Sequence, residues 1–192
     1  MKNPAVIVGN GLSRKGFDLE KLVGRCPIYG CNALYRDFSG WDYLVAIDDN
    51  MIQEILSKKY PIEKQLIIPE ESDRYEKPEY SFPFGQRRTN SGMIAMEKAL
   101  DRGHDLLFCL GFDFLLSGDQ SVSNVYEGSQ NYGSDTKATE TDNVFRIKYL
   151  EWFVARYPES NFIFVFPEQI SNENVTAENI LSISYQQFEE SF

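Results

Sequence analysis

Short apolar runs rich in β-formers alternate along this chain with stretches of helical spacing, and that alternation restricts it to crossover units around a mainly parallel sheet. The runs at residues 5–9, 27–31, 43–47, 65–68, 105–110 and 161–166 have the length of buried strands. Residues 50–59 set Met51, Ile52, Ile55 and Leu56 at helical spacing behind Asn50, a suitable N-cap, and Pro61 stops the run. A second helix is read in 90–103, with Ile94, Met96, Ala99 and Leu100 on its apolar face and Gly103 as its C-terminal cap. A third, in 141–157, carries Val144, Ile147, Leu150, Trp152 and Val154, with Pro158 just beyond. The expected fold is α/β, a Rossmann-like three-layer sandwich in a single domain over residues 1–170. Residues 171–192 form an acidic tail with scattered Ile, Tyr and Phe, which reads equally as a packed helix or strand and as a partly ordered arm.

Composition narrows the partners. A chain of 192 residues that is 42% hydrophobic can bury about 70% of its unfolded surface. Its formal charge of -10 opposes binding to nucleic acid or to an anionic membrane. Cys26, Cys31 and Cys109 lie in or beside apolar runs and read as reduced core thiols. No run reaches the roughly 20 apolar residues of a membrane span, and the expected location is cytoplasmic.

Four polar constellations fall at the C-terminal ends of the expected strands, the edge where open α/β sheets hold ligands. The first is Gly9-Asn10-Gly11 with Ser13, a turn that lets backbone and ligand come close and that precedes a polar stretch resembling a helix start. Its spacing departs from the dinucleotide fingerprint at Arg14, and an ordinary strand-to-helix turn is the competing reading. The second is Cys31-Asn32, and the third is Asp48-Asp49-Asn50, whose carboxylates suit a ribose, a divalent metal or, for Asp49 and Asn50, helix capping. The fourth is "RRTNSGM", residues 87–93, where Arg87 and Arg88 precede a helix that begins at Asn90, Ser91 and Gly92. "LFCLGFDF", residues 107–114, then ends a strand in Gly111 and Asp113. Two long polar stretches, 69–89 and 115–140, start at strand ends and are expected to lie over the site.

The order "VIVGNGLSRKGFDLEKL", then Cys31-Asn32, then "RRTNSGMIAMEKALDRGHDLLFCLGFDF" resembles the bacterial sialyltransferases that use CMP-sialic acid, together with related Rossmann-like proteins that include a pterin diphosphokinase-like branch. The resemblance spans residues 4–116. It implies a cytidine nucleotide donor, with Asn10 and Gly11 near phosphate or ribose, Asn32 and Asp48 near ribose or base, and Asn90, Ser91 and Gly92 near ribose and phosphate. Tyr126 and Tyr132 are the matches for tyrosines that hold phosphate oxygens. Leu12 stands where that family has proline, Asn90 where it has threonine and Asp48 where it has asparagine. The family's catalytic histidine has no counterpart, because His104 falls between a helix end and a strand start, at the opposite edge of the sheet.

A general base would have to come from Asp113, Asp119, Glu127 or Asp135, and Asp113 is the candidate adopted. Three functions follow: a glycosyltransferase-like protein that takes sugar from a CMP-activated or other nucleotide donor, a nucleotide-binding or sensor protein without transfer chemistry, and a magnesium-dependent phosphate-transfer enzyme using Asp48, Asp49 or Asp113. A homo-oligomer is left open.

Overall fold

The computed structural model describes residues 2–58, 64–80, 85–116, 123–133, 138–170 and 175–191. Seven strands, β1 (Pro4–Val8), β2 (Ile28–Cys31), β3 (Tyr43–Val45), β4 (Gln65–Ile67), β5 (Leu106–Leu110), β6 (Asn161–Phe166) and β7 (Ile180–Ser184), form one sheet in the order β4-β3-β2-β1-β5-β6-β7. Every ladder is parallel. Among the described residues the α-helices are α1 (Asp49–Leu56), α2 (Ser91–Asp101), α3 (Glu140–Ala155) and α4 (Tyr185–Glu190).

The alternation of side chains along a strand divides the core. On β1, Ala5 and Ile7 pack under α2 and α3 with Leu107, Cys109, Phe162 and Phe164, whereas Val6 and Val8 face the opposite layer with Phe108 and Val165. That second layer consists of α1, α4 and three 3-10 segments, Leu12–Gly16, Leu19–Leu22 and Asn32–Arg36. Both faces of the sheet are covered, as an all-parallel sheet requires, and the architecture is the expected three-layer α/β sandwich.

The observed strand bounds differ from the sequence reading by one or two residues at an end, and β6 agrees at both. The connections differ more. No α-helix follows Gly9-Asn10-Gly11: Leu12–Gly16 is a 3-10 segment, and Asp18 starts the next one by accepting from the Glu20 amide at 3.1 Å. Helix α1 begins one residue before Asn50, with Asp48 at the cap position but making no side-chain cap bond. Leu56 and Val144, read as core-facing, are exposed, and Pro61 lies outside the described residues. Helix α2 ends as expected: Gly103 sits at φ +84°, its amide donates to the Leu100 carbonyl at 2.9 Å, and the His104 amide donates to Ala99 at 3.1 Å.

The tail resolves as a packed element. Residues 180–184 add β7 to the free edge of β6. Ser184 and Gln187 then form a capping box for α4, and the fully buried Phe188 packs on Phe17 and Phe108 at ring distances of 5.5 and 4.9 Å.

Candidate functional site

The chain lays β1 to β4 outward in one direction and restarts on the other side of β1 with β5. The crossovers diverge above the C-terminal ends of β1 and β5, which is the switch point where such sheets leave a crevice. A cleft of about 660 Å³ opens there, lined by Gly9, Asn10 and Gly11 after β1, Asn32 after β2, Asp48 after β3, Gly111 and Asp113 after β5, and Asn90, Ser91 and Gly92 at the start of α2. Tyr132 closes one side. Eleven of the residues read as functional from the sequence are thus brought together. Ser13 and Tyr126 do not line the cleft.

The two strand ends touch backbone to backbone. Gly9 donates to the Leu110 carbonyl at 2.8 Å and Gly11 to the Gly111 carbonyl at 3.0 Å. A Cβ on Gly9 would lie 2.7 Å from the Gly111 oxygen, and Gly111 itself takes φ +72°. These glycines exist so that β1 and β5 can meet, and so that the Asp113 carboxylate can enter the Gly11–Ser13 turn; a Cβ on Gly11 would lie 2.3 Å from Asp113 Oδ1. Asp113 Oδ2 accepts from the Ser13 amide at 2.9 Å, the Ser13 hydroxyl donates to Oδ1, and the Leu12 amide adds a third bond. The turn read as a phosphate cradle therefore already holds an anion, one supplied by the protein. Burial pushes the Asp113 carboxyl above its usual range, against the pull of those three donors. With both oxygens engaged, Asp113 positions the turn, and Ser13 holds Asp113.

The start of α2 is different. Asn90 caps it, accepting from the Met93 amide at 3.1 Å, so its carbonyl oxygen serves the helix. The Ser91 and Gly92 amides have no acceptor among the described residues and form the positive end of an eleven-residue helix at the cleft. Gly92 also lets the Phe112 ring pack close, since a Cβ there would come within 2.7 Å of it.

Asparagines line the facing wall. Asn10 Nδ2 donates to the Cys31 carbonyl at 3.1 Å and to the Tyr132 hydroxyl at 3.4 Å, which fixes its rotamer and leaves its buried Oδ1 without a partner. Asn32 stands in the left-handed region at φ 46° and donates to Asp48 Oδ2 at 3.1 Å; its Oδ1 is likewise buried and unpartnered. Two acceptors at the base of one cleft call for donors from water or a ligand. Asp48 keeps Oδ1 free of hydrogen bonds among the described residues and is exposed to the cleft.

Residues 123–133 contribute a wall pinned in place. The Val125 amide donates to the Asn10 carbonyl at 2.9 Å, and Asn124 bridges to Gly11. Arg36 donates to Ser129 Oγ at 2.8 Å, to the Gln130 carbonyl at 2.9 Å and to Glu54 Oε2 at 2.6 Å, with its guanidinium 5.6 Å from the Tyr132 ring centre. Burial pushes the Tyr132 phenol up to about 12, so it stays a neutral donor. Tyr126 is engaged elsewhere, accepting from Arg14 at 2.7 Å and donating to Asp37 beneath the loop rather than in the cleft. Arg14, 4% exposed, pairs with Asp37 at 3.3 Å.

Sequence reasoning missed Arg146, Asn124 and Asn131, which line the cleft, and gave no separate role to Thr89 within residues 87–93, which lines it too. Arg146 lay within a helix pattern and the others in stretches without periodicity, so no local signal marked them. Asp119 and Asp135 lie outside the described residues, and Glu127 is exposed and does not line the cleft, although it accepts from Ser123, which does. His104 is buried at the other edge of the sheet, edge-on to Tyr29, and burial lowers its pKa. The carboxylates read as magnesium ligands are committed separately, Asp49 to Arg74 at 2.7 Å and Asp113 to Ser13, and among the described residues no three such groups converge. Among the described residues, no helix is long and apolar enough to cross a membrane. No family model, curated protein or solved structure matches the chain.

Proposed function

We propose that the cleft binds a nucleotide-activated sugar, with cytidine as the base, and that the protein is a glycosyltransferase. The observation that carries this reading is the meeting, at one switch-point cleft, of an open helix N-terminus for phosphate with two buried amide oxygens that lack donors. Neutral Tyr132 adds a hydroxyl donor for phosphate oxygens. The unpartnered Asn10 and Asn32 oxygens suit the exocyclic amine of cytosine and the ribose hydroxyls. A volume of about 660 Å³ is in the usual range for sites of this kind. The resemblance of residues 4–116 to CMP-sialic acid dependent sialyltransferases agrees with the same placement.

In the transfer, the acceptor hydroxyl oxygen bonds to the anomeric carbon while the bond from that carbon to the phosphate oxygen breaks. Its electron pair leaves with the nucleotide, where the Ser91 and Gly92 amides and Tyr132 stabilise the charge. Asp48, whose free Oδ1 faces the cleft, takes the hydroxyl proton. The engagement of Asp113 by Ser13 moves the base from the residue chosen on sequence grounds to Asp48.

Thermal unfolding against CMP, CDP, UDP, GDP and their sugar conjugates, with and without magnesium, tests the binding. A ligand at a hundred times its dissociation constant adds about 2.7 kcal/mol, or about 5 to 10 °C in a domain of this size. The expected result is a shift selective for cytidine nucleotides; no shift with any nucleotide sinks the reading. Hydrolysis or transfer of the conjugate, followed by mass spectrometry, then separates a transferase from a protein that only retains its ligand. Asp48→Asn is expected to bind as the parent does and to turn over at least a hundredfold more slowly.

A further inference from the structure

Arg146, on α3, is a cation that the cleft leaves unanswered. It lies in the wall shared by the main cleft and a smaller cavity of about 60 Å³ behind it, to which Arg88 and Thr89 also contribute. The neighbouring arginines have partners. Arg87 pairs with Asp142 at 2.7 Å and lies 4.0 Å from the Phe145 ring centre, Arg74 pairs with Asp49 at 2.7 Å, and Arg88 donates to the Ile47 carbonyl at 2.6 Å. Arg146 is only partly exposed and makes no hydrogen bond or ion pair among the described residues.

The charges that act on it are Asp142, one turn earlier on α3, and Arg87, and the small cavity beside it is also lined by Arg88 and by the buried carboxyl of Glu76, whose Oε2 has no partner among the described residues. Burial lowers its pKa, Asp142 opposes that shift, and Arg87, whose own charge already answers Asp142, reinforces it. A guanidinium stays charged at neutral pH. Held partly out of water without an oxyanion, it is unfavourable until one arrives. Beside it the Thr89 hydroxyl is buried and also unpartnered, an orientable donor of the kind that completes an oxyanion site.

We propose that the cleft contains a second oxyanion subsite, formed by Arg146 and the Thr89 hydroxyl and separate from the amides of Ser91 and Gly92, so that the ligand carries two anionic groups. The first is the phosphate of the proposed nucleotide, and this inference rests on that reading for its first group. The second is an oxyanion on the far side of it, either a further phosphate or a carboxylate on the transferred sugar.

Calorimetry on the full chain, wild type against Arg146→Met, tests this with CMP, CDP and a CMP-linked sugar acid. Arg146→Met is expected to bind CMP within about twofold of wild type and to lose about ten- to a hundredfold for a ligand bearing the second anion. Loss with CDP alone identifies the phosphate, and loss with the sugar acid conjugate alone identifies the carboxylate. Arg146→Lys, which keeps the charge without the fork, is expected to fall between the two. Equal losses for CMP and the two-anion ligands, or no loss with either, overturn the subsite.

Inorganic pyrophosphate and a free sugar acid serve as probes without a nucleoside. If nucleotides fail to bind but one of these binds wild type at least fivefold more tightly than Arg146→Met, the nucleotide reading falls and the subsite stands. If nucleotides fail to bind and these probes bind both proteins equally or not at all, the subsite falls with it.

Discussion

The turn after β1 and the start of α2 are both places where small residues expose backbone amides at the C-terminal edge of the sheet, yet they end in opposite states. In the first, the Leu12 and Ser13 amides are turned onto Asp113, so an anion from the chain itself fills the cradle. In the second, Asn90 uses its side chain to cap Met93 and leaves the Ser91 and Gly92 amides facing the cleft. The lesson is that a glycine-rich turn is an anion site only after the protein's own carboxylates have been counted. The first region is built for rigidity and the second for a guest.

The comparison can be broken most forcefully at Gly111. Gly111→Ala meets the Gly9 oxygen at 2.8 Å in a conformation with φ +72°, and is expected to cost about 3 kcal/mol or more in denaturant unfolding. A loss under about 1 kcal/mol would mean that the strand ends are not locked together as described.

Asp113→Ala removes the internal anion. It is expected to lower stability by about 2 to 3 kcal/mol because the Leu12 and Ser13 donors lose their acceptor. It should also make the variant more responsive to sulfate than wild type, since the vacated amides form an open cradle. Stability that is unchanged, together with no added response to sulfate, would show that the two regions do not differ in the way claimed.

At the other region, Asn90→Ala takes away only a cap. About 1 kcal/mol of stability is expected to be lost, measured by thermal unfolding. The Ser91 and Gly92 amides would remain, so nucleotide affinity should change little; a loss of affinity comparable to that of deleting the ligand's phosphate would assign Asn90 to the ligand instead of the helix.

The smallest effect is a titration. Because burial outweighs its hydrogen bonds, Asp113 is expected to release its proton above 3.8, the value for a free aspartate. A carboxylic acid whose folded pKa is raised binds more protons folded than unfolded, so its contribution to stability falls as pH rises from 3.8 through the folded pKa. Carboxyl carbon NMR read through this range would show it, and a midpoint below 3.8 would mean that the Ser13 and Leu12 donors dominate.

Much of this was legible in the chain. Alternating apolar runs and helical spacing pointed to the parallel sheet, because strands buried on both faces carry a continuous apolar signal that needs no tertiary context. The glycines at 9, 11 and 111 marked strand ends at the ligand-binding edge, and the structure adds that backbone contact there admits no side chain. Strand β7 was left open because Ser182 and Ser184 interrupt its apolar pattern, and only pairing with β6 gives those residues a ladder. Arg146 was invisible because a helix pattern records which residues point inward and says nothing of what faces an inward cation.

What the sequence determined by itself is therefore what local physics encodes: strands, helices, caps such as Asn90 and Gly103, and the edge of the sheet where polar residues gather. What only the tertiary structure decided is which donors remain free. Asp113 lies a hundred residues from Ser13 in the chain and yet satisfies its amide and hydroxyl, whereas no hydrogen bond or ion pair among the described residues engages Arg146. Hydrogen-bond satisfaction is a property of neighbours in space, and the fold alone assigns those neighbours.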